Sequence, residues 1–214
     1  MAKRIAAAGW RHERDLRDAG WVRIAGVDEV GRGCLAGPVV AGAVVLDPDR
    51  PIVGLRDSKQ LSPAARERLA ERIALEAVAC GVGIVDAEEI DRTNILRATL
   101  RAMAAAIGTL RVAPDFVLVD ALTIPEIALP QRAIVRGDQI SVSIAAASIV
   151  AKVYRDAMMR ALHPAYPAYR FDANKGYGTA DHLSALRRLG ATPLHRATFR
   201  GVPGPAAPAR EGSA

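Results

Sequence analysis

The sequence predicts an α/β protein: a mixed β-sheet flanked by helices, with a helical C-terminal region. Short apolar, β-branched runs alternate with longer stretches of helical period. The first two such runs meet across a glycine-rich connection and are read as an antiparallel hairpin, which makes the sheet mixed rather than doubly wound. Beyond residue 143 the pattern is almost entirely helical.

Residues 1–22 mix Arg, Asp and Glu with two Trp; a short surface helix is expected over 11–18, and no chemistry is assigned to it. The run 23–27 (RIAGV) is read as a buried strand ending on two adjacent carboxylates, Asp28 and Glu29. Gly31-Arg32-Gly33 follows, a cation between two residues that accept positive φ freely. Residues 39–46 (VVAGAVVL) make the second strand, and Asp47-Pro48-Asp49 breaks it. After the loop 55–61 (LRDSKQL), Ser62 caps a helix with Pro63 at its first position, and Leu69, Ile73 and Val78 mark its apolar side. A strand over 81–85 precedes Asp86 and Glu89, which have capping-box spacing. A longer helix is expected over 94–107. Residues 116–119 (FVLV) form a fully buried strand that also ends on a carboxylate, Asp120. A short strand at 133–135 leads into Arg136-Gly137-Asp138, where the glycine is expected to turn the chain sharply. Residues 143–162 form an alanine-rich helix whose small side chains imply close packing on the sheet. A last helix covers 180–189 and stops at Gly190.

With 214 residues, half of them hydrophobic, the chain can fill the core of a single domain. Its net charge of +6 is uneven: there are 19 basic and 19 acidic residues up to Ala151, then 10 against 4. The excess points to an anionic partner at the last third. Tyr154, Tyr166, Tyr169, Phe171, Tyr177 and Phe199 lie there too, rings suited to stacking on sugars or bases. Cys34 and Cys80 have no zinc-ligand spacing, so reduced thiols in the cytoplasm are expected. No run approaches the ~20 apolar residues of a membrane span, no signal peptide is recognisable, and no membrane association is expected. His12, His163, His182 and His195 match no metal spacing and are expected at the surface or as caps.

The chemistry is read from the acids together. Asp28 and Asp120 each end a buried strand, and neighbouring strand ends form the crevice where α/β proteins bind ligands. Glu29 adjoins Asp28, and Asp138 follows Gly137. Carboxylates converging in one cleft repel each other unless a cation neutralises them. With oxygen donors alone, Mg²⁺ or Mn²⁺ is favoured over zinc. Two such ions about 4 Å apart are the usual device for phosphodiester hydrolysis.

Five segments in order, GVDEVGRGCLAGPV, LRDSKQLS, FVLVDAL, VRGDQISVSIAAASIVAKVYRD and NKGYGT, resemble the motif set of bacterial ribonuclease HII across residues 24–202. The resemblance implies an RNase H-like fold. It also implies an endonuclease that hydrolyses the RNA strand of RNA–DNA hybrids and nicks 5′ of single ribonucleotides embedded in duplex DNA, leaving 3′-hydroxyl and 5′-phosphate ends. The catalytic and metal-binding acids become Asp28, Glu29, Asp120 and Asp138, with Asp28 expected to bridge two ions. The backbone of Gly31, Arg32 and Gly33 would reach the 2′-hydroxyl, Tyr177 would pack on the sugar, and Lys59 and Asn94 would hold phosphates. Lys59 can equally be a loop lysine and Asn94 a helix-start residue. Ser148, Lys152, Arg155 and Asp156 also match but are left outside the site as packing and internal ion pairs. Ribonuclease HIII usually carries Glu at the fourth acid and an extra N-terminal domain, so Asp138 and the chain length favour HII. The expected division is an extension over 1–22, a catalytic domain over 23–202 that includes the basic helical C-terminal part, and a disordered tail over 203–214; a monomer is expected.

Three other readings compete with this one. A dinucleotide fingerprint at Gly31-x-Gly33 should open a helix, but a strand follows. A non-catalytic nucleic-acid-binding module explains the basic third but not acids in a phosphate cleft. A structure-specific DNA nuclease or resolvase would cut without any ribonucleotide.

Overall fold

The computed structural model describes residues 8–203, so the tail expected over 203–214 lies outside the described residues apart from Pro203. Five strands, β1 (Ile24–Val30), β2 (Val39–Val45), β3 (Ala79–Val85), β4 (Phe116–Asp120) and β5 (Gln131–Ile134), form one sheet in the order β3-β2-β1-β4-β5. The pairs β1–β2 and β2–β3 are antiparallel, whereas β1–β4 and β4–β5 are parallel. The mixed sheet expected from the sequence is therefore present. Among the described residues the helices are α1 (Arg11–Asp18), α2 (Pro63–Glu76), α3 (Ala87–Arg92), α4 (Ile95–Gly108), α5 (Gly137–Ile140), α6 (Val142–Leu162), α7 (Phe171–Asn174) and α8 (Ala180–Leu189).

The first strand runs further than its apolar pattern indicates. Asp28 and Glu29 lie inside β1, opposite Gly42 and Ala41 of β2. The neighbouring backbone supplies the ladder even where the side chains turn acidic, so both acids are fixed by strand pairing rather than by a turn. On its other side β1 stays in register with β4 up to Val27↔Val119, and one further step sets Asp28 beside Asp120. β5 begins earlier than expected because Gln131 and Arg132, at the sheet edge, are polar and carry no apolar signal.

Helix α4 covers one face of the sheet, with Ala98, Ala102, Met103 and Ala106 packed among Ala25, Val27, Ala41, Ala43 and Val119. Helices α2 and α6 cover the other, with Ile73, Ala145, Ala146 and Ile149 against Val44. The close packing expected of α6 is literal: a Cβ on Gly26 would stand 2.0 Å from the Ser143 carbonyl carbon, and one on Gly42 would stand 2.4 Å from the Ala147 oxygen. Because strand side chains alternate, Gly26 and Asp28 share a face. The helix seated on Gly26 therefore carries Ser148 to Asp28.

The start of α6 is secured from the N-terminal helix. Ser141 Oγ accepts from the Ile144 amide and donates to Glu13 Oε1 at 2.6 Å, and the Ser143 N–H donates to the same oxygen at 3.0 Å. Glu13 is buried, so its partners are not shared with water. Glu13→Ala leaves two buried donors unpaired and is expected to cost about 1–3 kcal/mol, read as a lower urea midpoint. An unchanged midpoint would contradict this anchoring role.

The C-terminal region has its own core, formed by Leu35, Ala36, Met159, Tyr169, Phe171, Ala185, Leu186 and Val202, with Tyr166 and Phe199 packed against it. Only Tyr154 and Tyr177 of the six rings expected to stack on nucleic acid are exposed; the others pack into this core beside Leu35, Met159 and Leu186. Two of the four histidines also depart from expectation: His182 and His195 are buried between Tyr169 and Phe171. Arg155 and Arg196 are fully buried as well, so part of the C-terminal positive charge is internal. No described helix is long and apolar enough to cross a membrane.

Candidate active site

Asp28 and Glu29 of β1, Asp120 at the end of β4 and Asp138 of α5 line one narrow cleft of about 100 Å³, together with Ser58, Lys59, Ser148, Lys152 and Tyr177. Three separate elements thus bring all four sequence-predicted acids together. The chain reaches Asp138 through a left-handed turn at Arg136 (φ 56°), not at Gly137 as the sequence suggests. Gly137 is needed for space: a Cβ there would stand 2.4 Å from Ile144 Cδ1, and its N–H donates to Asp120 Oδ1 at 2.6 Å.

All four acids hold their protons more tightly than free carboxyls. Burial pushes Asp28 well up, and Glu29 and Asp120 add to the rise. Glu29 is raised by burial against the pull of Arg32, whose Nη1 lies 3.1 Å from Oε1. Asp120 is raised by burial despite the Gly137 amide and Lys59. Burial, with Asp57 and Asp120, brings Asp138 to about 6. These carboxylates therefore oppose folding when ionised and gain from a bound cation.

The donor set fits a hard divalent ion. The side-chain atoms of the cleft able to bind a cation are all oxygens, with no His or Cys among the lining residues. Glu29, which lines the cleft, has a buried Oε2 with no hydrogen-bond partner. As the side chains stand, no three potential ligands among the described residues are close enough together to enclose an ion.

The linkage has a definite sign. A carboxyl whose folded pKa is raised loses stability as pH climbs from its unfolded value through its folded one. His182 and His195, lowered by burial, act in the opposite direction over an overlapping range, so the contribution of Asp138 must be read by difference. In chelator, Asp138→Asn is expected to be the more stable protein, by a margin in Tm that grows as pH rises from about 4 to about 7. A margin independent of pH would contradict the assignment.

Beside the acids lies a second groove of about 180 Å³, lined by Glu29, Val30, Gly31, Arg32, Gly33, Lys59 and Tyr177. Two buried guanidiniums hold the loop from beneath. Arg155 donates to the carbonyls of Pro38 (2.9 Å), Ala36 (3.1 Å) and Lys175 (2.8 Å); Arg196 donates to those of Arg32 (2.9 Å) and Gly37 (2.8 Å). The Tyr177 ring lies over this support, with Arg155 6.0 Å and Lys152 5.8 Å from its centroid. Burial, with Cys34 beside it, pushes the Tyr177 phenol up to about 12, so it stays neutral.

Asn94 does not line either groove. It is exposed and its side chain accepts from the Arg97 amide at 2.9 Å, capping α4. Sequence reasoning left out Ser148 and Lys152, which line the cleft, although Lys152 also makes the internal pair expected of it, 2.6 Å from Asp156. Asp57 was missed too: it is buried, accepts from the Lys59 amide and faces Asp138. Its signal was available as an Asp two residues before Lys59 in a loop, the pattern of an Asx turn. A larger cleft of about 470 Å³ bordered by Glu88, Asp91 and Thr192 is less suited to a cation, because Asp91 is already committed to the amides of Ala197 and Thr198.

Comparison with known proteins agrees with this architecture. A family model described as Ribonuclease HII matches residues 25–202. The Ribonuclease HII of Nitrosococcus oceani is 58% identical over 180 residues, covering 84% of this chain and 90% of that protein. That of Pediococcus pentosaceus is 51% identical over 191 residues, covering 89% and 74%. Among solved structures, the RNase HII of Archaeoglobus fulgidus, in its PCNA:RNase HII complex, superposes with a TM-score of 0.72 at 28% identity, covering 84% of this chain and 96% of that one. The ribonuclease H2 of Pyrococcus horikoshii OT3 gives 0.69 at 28% identity, covering 84% and 95%.

Proposed function

The chain belongs to the ribonuclease HII family, a ribonuclease H hydrolase with the RNase H-like fold, and we propose that it nicks on the 5′ side of ribonucleotides embedded in duplex DNA as well as cutting the RNA strand of hybrids. The observation that carries this reading is that two grooves share a wall. Glu29, Val30, Lys59 and Tyr177 border both the carboxylate cleft and the Gly31–Gly33 groove, so a phosphate held at the acids has its sugar at the glycines.

Asp28, Glu29, Asp120 and Asp138 would hold the divalent ions, Mg²⁺ or Mn²⁺. When bound, such ions make water a better nucleophile near neutral pH and offset charge building on the leaving oxygen, giving 3′-hydroxyl and 5′-phosphate ends. The chain's own residues supply position. The Gly31 and Gly33 backbone comes close enough to bond the 2′-hydroxyl, the one group that separates ribose from deoxyribose. The Tyr177 ring seats the sugar, the Lys59 ammonium pairs with a backbone phosphate, and Asn94, exposed at the start of α4 outside both grooves, would reach only a more distant phosphate. The cleft is complete within one chain, which suits a monomer, and the free thiols Cys34 and Cys80 suit the cytoplasm.

The test is cleavage of a labelled RNA–DNA hybrid with Mg²⁺, with Mn²⁺ and with chelator. Cutting of the RNA strand that either metal restores after chelation is expected. Cutting that survives chelation would overturn the cation assignment.

A further inference from the structure

Behind the Tyr177 groove lie two buried imidazoles whose hydrogen-bond partners are consistent with a single arrangement of protons; Thr192 Oγ1 also stands 2.8 Å from His195 Nδ1. His182 Nε2 and His195 Nε2 are 2.9 Å apart, so one must donate. At the far end, the Thr192 backbone N–H donates to His195 Nδ1 at 2.9 Å, which makes that nitrogen an acceptor and puts the His195 proton on Nε2. At the near end, His182 Nδ1 is 2.9 Å from the Tyr177 carbonyl oxygen, which can only accept, so the His182 proton is on Nδ1. The two ends agree. With both rings neutral the chain runs in one direction, Thr192 N–H to His195, His195 Nε2–H to His182, His182 Nδ1–H to the Tyr177 carbonyl, and no ring nitrogen is left unsatisfied.

The surroundings keep it so. Both rings are almost wholly excluded from water, and Phe171 and Tyr169 pack on them. Burial pushes His195 down to about 4 and lowers His182. The same turn ties back to the glycine loop, since the Arg196 amide donates to the Leu35 carbonyl and the Leu35 amide to that of Gly176.

We infer that His182 and His195 are positioning residues: a neutral imidazole relay that fixes the Tyr177 backbone, and through it the Tyr177 ring, from the Thr192–Arg196 turn. The inference rests on the reading of Tyr177 as the residue that seats the sugar. Neither histidine touches substrate; each acts through Tyr177.

The experiment is nicking of a duplex with one ribonucleotide by His195→Phe, by His195→Gln and by each combined with Tyr177→Ala. In His195→Phe, which keeps the bulk and removes the donor, kcat is expected to fall about 10- to 100-fold, as for a misplaced binding group, with KM little changed. In His195→Gln, whose amide N–H can still reach His182, most of the loss should be recovered. Once Tyr177→Ala has removed the ring, neither His195 substitution should have a further effect. Equal losses from His195→Phe in both backgrounds overturn the relay while leaving the role of Tyr177 intact; full activity of Tyr177→Ala overturns both. If His195→Phe fails to fold, ¹⁵N NMR of the unaltered protein decides. Protonation of His195 at Nε2 and of His182 at Nδ1, with slow exchange at both, is expected, and the reverse tautomers overturn the proposal.

Discussion

Asp28→Asn is expected to lose roughly three or more orders of magnitude in cleavage, the several kcal/mol that correctly placed cations contribute to phosphoryl chemistry. Hybrid binding should change little, since Lys59 and the Gly31–Gly33 groove are untouched. The same substitution should stabilise the metal-free protein at neutral pH. Asp28 is buried and its carboxylate faces Glu29 and Asp120, so its ionised form opposes folding. Removing that charge should therefore raise Tm at neutral pH in chelator. Added Mg²⁺ should raise the Tm of the unaltered protein more than that of Asp28→Asn, because a ligand stabilises the state that binds it. Activity lost together with stability would mean a structural defect instead of a missing ligand.

The second large effect separates two glycines that look alike in sequence. Gly31 has φ +94°, and a Cβ there would stand 2.3 Å from Arg155 Nε and 2.9 Å from the Pro38 oxygen. Arg155 cannot move aside easily, since its guanidinium is buried and bonded to three carbonyls. Gly31→Ala should therefore cost about 2–4 kcal/mol, combining backbone strain with displacement of a buried cation, and should abolish cleavage as the loop shifts. A Cβ on Gly33 meets nothing within 4 Å. Gly33→Ala should keep stability within about 0.5 kcal/mol yet impair cleavage, because the added methyl projects where the sugar must come. Urea titration and nicking assays on the two variants check the contrast. Equal destabilisation by both would contradict the packing account, and full activity of Gly33→Ala would contradict the sugar account.

The physics of local pattern explains what the sequence made legible. Apolar runs ending on Asp28 and Asp120, with helical stretches between, were sufficient for the mixed sheet, because burial on both faces leaves a continuous β-branched signal. The caps at Ser62 and Asp86 follow from side-chain chemistry and stand where expected, accepting from the Ala65 and Glu89 amides. Features set by partners far away in sequence were not legible. Asp28 and Glu29 belong to the strand only because β2 continues beside them. The turn at Arg136 has no compositional mark, since a non-glycine residue adopts the left-handed conformation there while Gly137 yields space to Ile144. Glu13 in a charged N-terminal helix reads as solvated until Ser141 and Ser143 arrive from over a hundred residues away. Arg196 reads as part of a basic surface and Arg155 as a partner in an internal ion pair, yet both are bonded to backbone carbonyls inside the protein. His182 and His195 likewise lack any metal spacing because their partners are each other.

The most direct test of the central claim, that the acids and the glycine groove read one ribose between them, is a pair of labelled DNA duplexes identical except for a single ribonucleotide. With Mg²⁺ or Mn²⁺, one nick is expected on the 5′ side of that ribonucleotide, with no cutting of the all-DNA duplex. Equal cutting of both would keep the carboxylate site but contradict the assignment of Gly31, Gly33 and Tyr177 as the sensor of the 2′-hydroxyl.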